Sequence, residues 1–256
     1  MTRIDLNCDL GERPELLEDG TQRELMRWIR SANVACGGHA GDEPLMRATL
    51  VQAIEAGVAI GAHPGYEDPE HFGRRELNLD VAEVAEMVHR QVKRLADLAS
   101  ACGTRVSFVK PHGALYNQAA TNRSLARAIA EGVARWRRDV FIVGLAGPAG
   151  ETMLAEYRAA GFEAAAEAFA DRRYESDGRL RSREFADSLL DDPELAARQA
   201  VRIAQGEGVL TWDGTRVPMD AQTLCVHSDT PGSVLIVRTV REALNRVGVR
   251  VAPLAR

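Results

Sequence analysis

Four of the six histidines in this 256-residue chain lie in short motifs bearing Gly, Asp or Pro, each after a run of small or β-branched residues. The motifs read Asn33-Val-Ala-Cys-Gly-Gly-His39-Ala-Gly-Asp42, Gly61-Ala-His63-Pro-Gly-Tyr66, Lys110-Pro-His112-Gly-Ala-Leu-Tyr116-Asn117 and Cys225-Val-His227-Ser-Asp229. The opening segment, Asp5-Leu-Asn7-Cys-Asp9-Leu-Gly-Glu12, has the same strand-then-polar layout. Strands buried on both faces need apolar residues, so polar and titratable groups collect where strands end and loops begin. One histidine at a strand end is ordinarily structural. Four of them, with an Asp-rich first strand, encode a site.

Imidazole combined with carboxylate suits a divalent metal such as zinc, and barrel-type deacetylases hold one with a first-strand Asp and two later His. The expected ligands are Asp9, His39, His63 and His112. The alternative is that these imidazoles orient a substrate carboxylate or amide by hydrogen bonds without an ion, with Asp9 bonded to amides of its own loop. Lys110 stands out because only two of the 32 Lys and Arg residues are lysines. A Lys before Pro-His at a strand end points to a compact ammonium that binds a carboxylate or polarises a carbonyl. Each acidic residue has two readings. Asp42 precedes a helical pattern and suits an N-cap. Asp171 is either a general base or a partner of Arg172 and Arg173. Asp229, beside His227, can tune a proton-transfer group.

Several chemistries are excluded. A Walker A loop needs Gly before its Lys, and Lys93 and Lys110 both follow Val. There is no Gly-x-Ser-x-Gly elbow and no Gly-x-Gly-x-x-Gly dinucleotide fingerprint. The segment Gly144-Leu-Ala-Gly147-Pro-Ala-Gly150 reads as an anion-binding nest or as a tight turn. A net charge of −5 argues against a nucleic-acid or anionic-membrane surface. Neither a membrane-length apolar stretch nor a signal-peptide pattern is visible, and four scattered cysteines suggest a reduced, cytoplasmic protein.

These residues need elements to position them. Strand patterns are expected at 3–9, 31–36, 58–62, 105–110, 139–145, 162–169 and 222–227. Helical patterns alternate with them at 20–30, 43–56, 80–101, 121–136, 149–160, 192–205 and 232–247. Seven βα units in order imply a parallel sheet with right-handed crossovers. Chemistry at almost every strand end favours closure into a barrel over an open sheet, which would concentrate the site at one switch point. Residues two apart share a face of a strand, so Asp5, Asn7 and Asp9 point one way. Asn33 with His39, Lys110 with His112, Glu167 with Asp171, and His227 with Asp229 share parity likewise, and all are expected around the axis at the C-terminal mouth. Residues 172–220 break the rhythm with two Asp-Gly segments resembling β-hairpins, a lid or a partner surface inserted in one domain spanning 1–256.

Taken together, Asp-Leu-Asn-Cys-Asp-Leu-Gly-Glu, Ala-Cys-Gly-Gly-His-Ala-Gly-Asp, Gly-Ala-His-Pro-Gly-Tyr, Lys-Pro-His-Gly-Ala-Leu-Tyr-Asn, Glu-Ala-Phe-Ala-Asp-Arg-Arg-Tyr and Cys-Val-His-Ser-Asp resemble the LamB/YcsF family from Asp5 to Asp229. One departure is Ser228, where Gly is expected. The resemblance implies a distorted seven-stranded β/α (TIM-like) barrel of the glycoside hydrolase/deacetylase type. It also implies ATP-dependent hydrolysis of a cyclic amide, opening 5-oxoproline to L-glutamate with two other subunits, B and C. ATP and Mg2+ are then the expected cofactors, bound here or by those partners. Catalysis is expected from Asp9, Lys110, His112 and Asp229. Substrate contacts are expected from Asp5, Asn7, Asn33, His39, His63, Tyr116, Asp171 and His227. Two rival readings are a stand-alone metal-dependent amidohydrolase or deacetylase, and a non-catalytic substrate-binding subunit.

Overall fold

The computed structural model describes residues 2–254. Its strands are β1 (Arg3–Leu10), β2 (Ser31–Ala35), β3 (Ala59–His63), β4 (Val106–Val109), β5 (Phe141–Leu145), β6 (Glu163–Phe169), β7 (Val209–Leu210), β8 (Arg216–Val217), β9 (Thr223–Cys225) and β10 (Arg250–Val251). The helices are α1 (Pro14–Glu18), α2 (Thr21–Trp28), α3 (Glu43–Ala56), α4 (Val81–Ala101), α5 (Gly113–Thr121), α6 (Arg123–Trp136), α7 (Glu151–Ala159), α8 (Pro193–Ala204) and α9 (Ser233–Arg246). β1 to β6 and then β9 pair in parallel, and β9 also pairs with β1, which closes a seven-stranded barrel. β10 adds a short parallel pairing at the start of β1, with Arg3 opposite Arg250.

The closed barrel and its helical jacket agree with the expected fold. Two differences are informative. The helix expected at 121–136 is α6, but an unexpected helix, α5, precedes it, separated at Asn122, whose side chain caps α6 by accepting from the Leu125 amide at 3.1 Å. α5 is mostly buried and carries no charged residue, so its short polar side of Asn117, Gln118 and Thr121 gives only a weak pattern. Of the two expected hairpins, β7–β8 forms around Gly214, whereas the segment around Gly178 makes only a bridge between Tyr174 and Leu180. The Gly144–Gly150 segment is a tight turn, with the Gly150 amide donating to the Gly147 carbonyl at 3.1 Å.

Packing inside the barrel is layered. Phe108, Val143 and Ala165 form a separate apolar cluster against Ala59, Phe141 and Leu254. Gly61 makes room for it, since a Cβ there would enter the Phe108 ring. The next layers are polar. Asp5 accepts from the hydroxyls of Ser31 at 2.9 Å and Thr223 at 2.7 Å. Asn7 donates to Glu167 Oε1 at 2.9 Å and Thr223 Oγ1 at 2.6 Å, while Asn33 donates to Asn7 Oδ1 and Asp9 Oδ1, each at 2.7 Å. Alternate residues Leu6, Cys8 and Leu10 join the large apolar core. The parity of β1 thus sorts polar groups to the axis and apolar ones to the helices.

Candidate active site

The polar column rises to a cavity of about 810 Å³ at the C-terminal mouth, lined by Asp9, His63, Lys110, His112, Tyr116, Phe169, Arg172 and His227 among others. Lys110 is buried at its floor. Its ammonium donates to Asp9 Oδ1 at 2.9 Å and Cys225 Sγ at 3.2 Å, and stands 3.1 Å from Glu167 Oε1. Three partners match the three hydrogens of an ammonium. Burial alone would discharge this lysine, but Asp9, Cys225 and Glu167 hold its pKa well above the usual range. Burial likewise opposes ionisation of Asp9, yet Lys110 and His63 hold that carboxyl well below the ordinary value. Asp9 is therefore a carboxylate at neutral pH, lining the cavity with its Oδ1 held by Lys110 and Asn33.

Beside it lies a histidine cluster. The His63 Nδ1 donates to the Lys110 carbonyl at 2.7 Å, and the His112 Nε2 donates to the Phe72 carbonyl at 2.8 Å. Carbonyls only accept, so these contacts assign the tautomers. The free lone pairs of His63 Nε2 and His112 Nδ1 consequently face each other at 3.0 Å. Glu12 Oε1 is 3.3 Å from His112 Nδ1 and 3.0 Å from His39 Nε2. His39 stacks on His112 with ring centroids 3.6 Å apart. Burial pushes the pKa of both rings down, and for His112 the neighbouring imidazoles add to the effect. Two converging lone pairs beside a carboxylate repel unless a cation lies among them. One ligand atom from each of Glu12, His39, His63 and His112 falls within 4.8 Å of the others. These residues fit a divalent ion, with backbone carbonyls fixing two of the imidazoles from behind.

Phe72 completes the cradle. It alone among the described non-glycine residues has a positive φ, +55°, and its ring packs edge-on to both His39 and His112. Gly73 follows at φ +63°, where a Cβ would approach His39 Cβ to 2.6 Å. The loop after β3 can close on the imidazoles only with glycine there.

A second proton-handling group sits across the cavity. Asp171 accepts from the His227 backbone amide at 3.0 Å, from His227 Nδ1 at 3.0 Å and from Thr230 Oγ1 at 2.7 Å. Burial opposes its charge, but His227 and these donors lower the Asp171 pKa. The imidazole stacks on Phe169 and lines the cavity with its other edge.

Several expected placements differ. Asp9 is the carboxylate expected among the three imidazoles, yet that position belongs to Glu12, while Asp9 turns to Lys110 and Asn33 and is 3.5 Å from His63. Gly11, at φ +71°, redirects the chain after β1, so strand parity does not reach Glu12. Asp229 reaches His227 through charge rather than a hydrogen bond. It pairs with Arg74 at 2.5 Å and Arg183 at 3.5 Å, and against the effect of burial the charge of His227, then those of Arg183 and Arg74, lower its pKa to about 2. Asp5, Asn7 and Asn33 lie below the cavity, His39 lies behind His112, and Asp171 lies behind His227, so none of the five lines it. Tyr116 does, and among the described residues its buried hydroxyl, near Glu167, has no hydrogen-bond partner. Ser228 is buried without a positive φ, so the expected glycine is not required by the backbone. Glu12, Cys225 and Arg172 lie inside the quoted motifs, but residue type and spacing give them no role in the site. Glu167 enters the site only by parity, although a lone acid in Ala-Ala-Ala-Glu-Ala-Phe is itself a signal.

Residues 4–256 match the model of the LamB/YcsF family. The chain is 44% identical over 251 residues to the 5-oxoprolinase A subunit of Chloroflexus aggregans, covering 98% of each, and 41% identical to that of Bordetella pertussis, covering 97% of each. Among solved structures it is similar to the lactam utilization protein of Thermus thermophilus, with a TM-score of 0.88, 40% identity, and coverage of 98% of this chain and 99% of that one. A family 4 carbohydrate esterase from Streptomyces lividans, 12% identical, shares the fold with a TM-score of 0.53, covering 99% of this chain and 93% of that one.

Proposed function

Because this chain belongs to the LamB/YcsF family, we propose that it is the A subunit of an ATP-dependent 5-oxoprolinase, opening the lactam of 5-oxoproline to L-glutamate with partner subunits B and C in the cytoplasm. One observation carries the reading. The ionised Asp9 and the Asp171-anchored His227 open into the same cavity, and ring opening needs a group that takes a proton from water and one that returns a proton to nitrogen.

Hydrolysis adds hydroxide to the carbonyl carbon and a proton to the ring nitrogen as the C–N bond breaks. A five-membered lactam is an unreactive amide. Phosphorylation of its oxygen by ATP, with Mg2+ supplied alongside the nucleotide, makes the carbon electrophilic; one water adds, the C–N bond breaks to leave an acyl phosphate, and a second water releases phosphate and the carboxylate. Asp9, kept charged by Lys110, takes the proton of the attacking water. His227 holds a hydrogen on Nδ1 toward Asp171 and presents its other nitrogen to the cavity for proton transfer to the ring nitrogen. Lys110, with its three hydrogens already matched, acts by holding Asp9 and Glu167 rather than by binding substrate. A divalent ion held by Glu12, His39, His63 and His112 would supply Lewis-acid polarisation of the amide or phosphoryl oxygen.

The isolated chain is expected to release little glutamate from 5-oxoproline with ATP and Mg2+, and adding the two partners should restore ATP-coupled turnover. Robust ATP-independent release by the isolated chain would overturn this reading. The histidine cluster favours the second reading, a metal-dependent amidohydrolase, which predicts that outcome together with loss of activity in EDTA.

A further inference from the structure

Arg172 follows Asp171 at the end of β6, lines the cavity and is only 5% exposed. Its Nε donates to the Ser188 carbonyl at 3.4 Å and its Nη2 to the Arg181 carbonyl at 2.6 Å. Both acceptors are neutral. Among the described residues Arg172 forms no ion pair, although Arg74 and Arg183 both do, sharing Asp229. Asp171, the nearest remaining acid, is spent on His227 and Thr230. Burial, then the charge of Arg183 and more weakly that of Arg74, depress the Arg172 pKa to about 10, although Asp171 and Tyr174 work the other way. A buried guanidinium without a counter-ion is expensive unless something completes it. The missing partner is an anion, and its open approach is the cavity.

We propose that Arg172 is the receptor for the carboxylate of the lactam substrate and thereby sets its specificity. This rests on the reading of 5-oxoproline as substrate and deepens it. Of the five guanidinium N–H donors two are used by carbonyls, which fix the plane of the group and leave both Nη1 hydrogens and one on Nη2 for a bidentate carboxylate. Lys110 cannot take this role, because Asp9, Glu167 and Cys225 already occupy it. Anchoring the carboxylate at Arg172 leaves the ring amide of the substrate free to lie between Asp9 and His227. The site then discriminates against a neutral lactam, which leaves Arg172 buried and unpaired.

The test compares 5-oxoproline with 2-pyrrolidinone, the same ring without the carboxylate. In the assembled complex, Arg172→Gln should raise KM for 5-oxoproline on the order of 100-fold, with a smaller change in kcat. Arg172→Lys, which keeps the charge and guards against a folding defect, should recover part of that loss. By thermal shift, the isolated wild-type chain should be stabilised by millimolar 5-oxoproline and not by 2-pyrrolidinone, and Arg172→Gln should lose that response. An unchanged KM in both variants, or equal wild-type stabilisation by the two lactams, overturns the assignment. Failure of the wild-type complex to turn over 5-oxoproline, with its selective stabilisation intact, would instead overturn the activity and leave the carboxylate receptor standing.

Discussion

Single residues in this barrel carry charge that only their neighbours make tolerable. Lys110 and Asp9 are both buried, and each shifts the other toward ionisation. Asp9, with its folded pKa depressed, contributes stability above the ordinary carboxylate range and loses it as pH falls toward the folded value. Lys110, raised, contributes below the ordinary lysine range and loses it as pH rises through its higher folded value. The pair is thus at full strength between about pH 4 and about pH 10. Lys110→Met, which strands Asp9 and Glu167, should cost about 3–5 kcal/mol at pH 7 in denaturant unfolding, shrinking in acid. Asp5 has the opposite sign. Burial raises its pKa to about 7 despite its hydroxyl partners, so folding favours its protonated form and stability falls as pH rises from about 4 to about 7. Asp5→Asn should therefore be more stable than wild type at pH 8, and the gain should vanish near pH 4. A third expectation is that the chain takes up close to one equivalent of Zn2+ by calorimetry, and that Glu12→Gln weakens uptake at least about tenfold, while Asp9→Asn does so less. These residues were legible unevenly. His39, His63, Lys110 and His112 announced themselves by type and position. Glu12 did not, because its placement depends on the turn at Gly11.

Secondary-structure elements were the most legible scale. The seven barrel strands alternate or run apolar with β-branched and small residues, and their helices carry recurring apolar stripes, as in α4 with Val84, Val88, Val92 and Leu95 buried. What escaped were elements whose solvent face is narrow and uncharged, such as α5, and pairings too short to have a period, such as β10 with β1. Gly61 shows how one element limits another. Adding a methyl there pushes into the Phe108 ring, so Gly61→Ala should destabilise the barrel by about 1–3 kcal/mol. Combining it with Phe108→Leu should recover part of the loss, a coupling that a double-mutant cycle of unfolding free energies reads directly. Full additivity would show that the two sites do not share the space.

At the scale of the whole molecule, the seam between β1 and β9 joins the two ends of the sequence order. Asp5 lies opposite Thr223, and the Asp5 amide donates to the Gln222 carbonyl at 2.9 Å. On its other edge β1 finds β2 within the first 35 residues. The two edges of one strand therefore have very different histories as the chain is made. The β2 side can pair early, whereas the β9 side stays open until residue 222 and those after it have emerged, with unpaired amides and the Asp5 and Asn7 side chains lacking Thr223. Long-range parallel closure of this kind is slow, and the intermediate it leaves exposes a sheet edge open to other chains. Pulse-labelled hydrogen exchange during refolding should find the Asp5 amide among the last to gain protection, after the β2–β3 amides. Synthesis stalled before residue 222 should yield a species that chaperones hold, because the strand translated first waits longest for its partner.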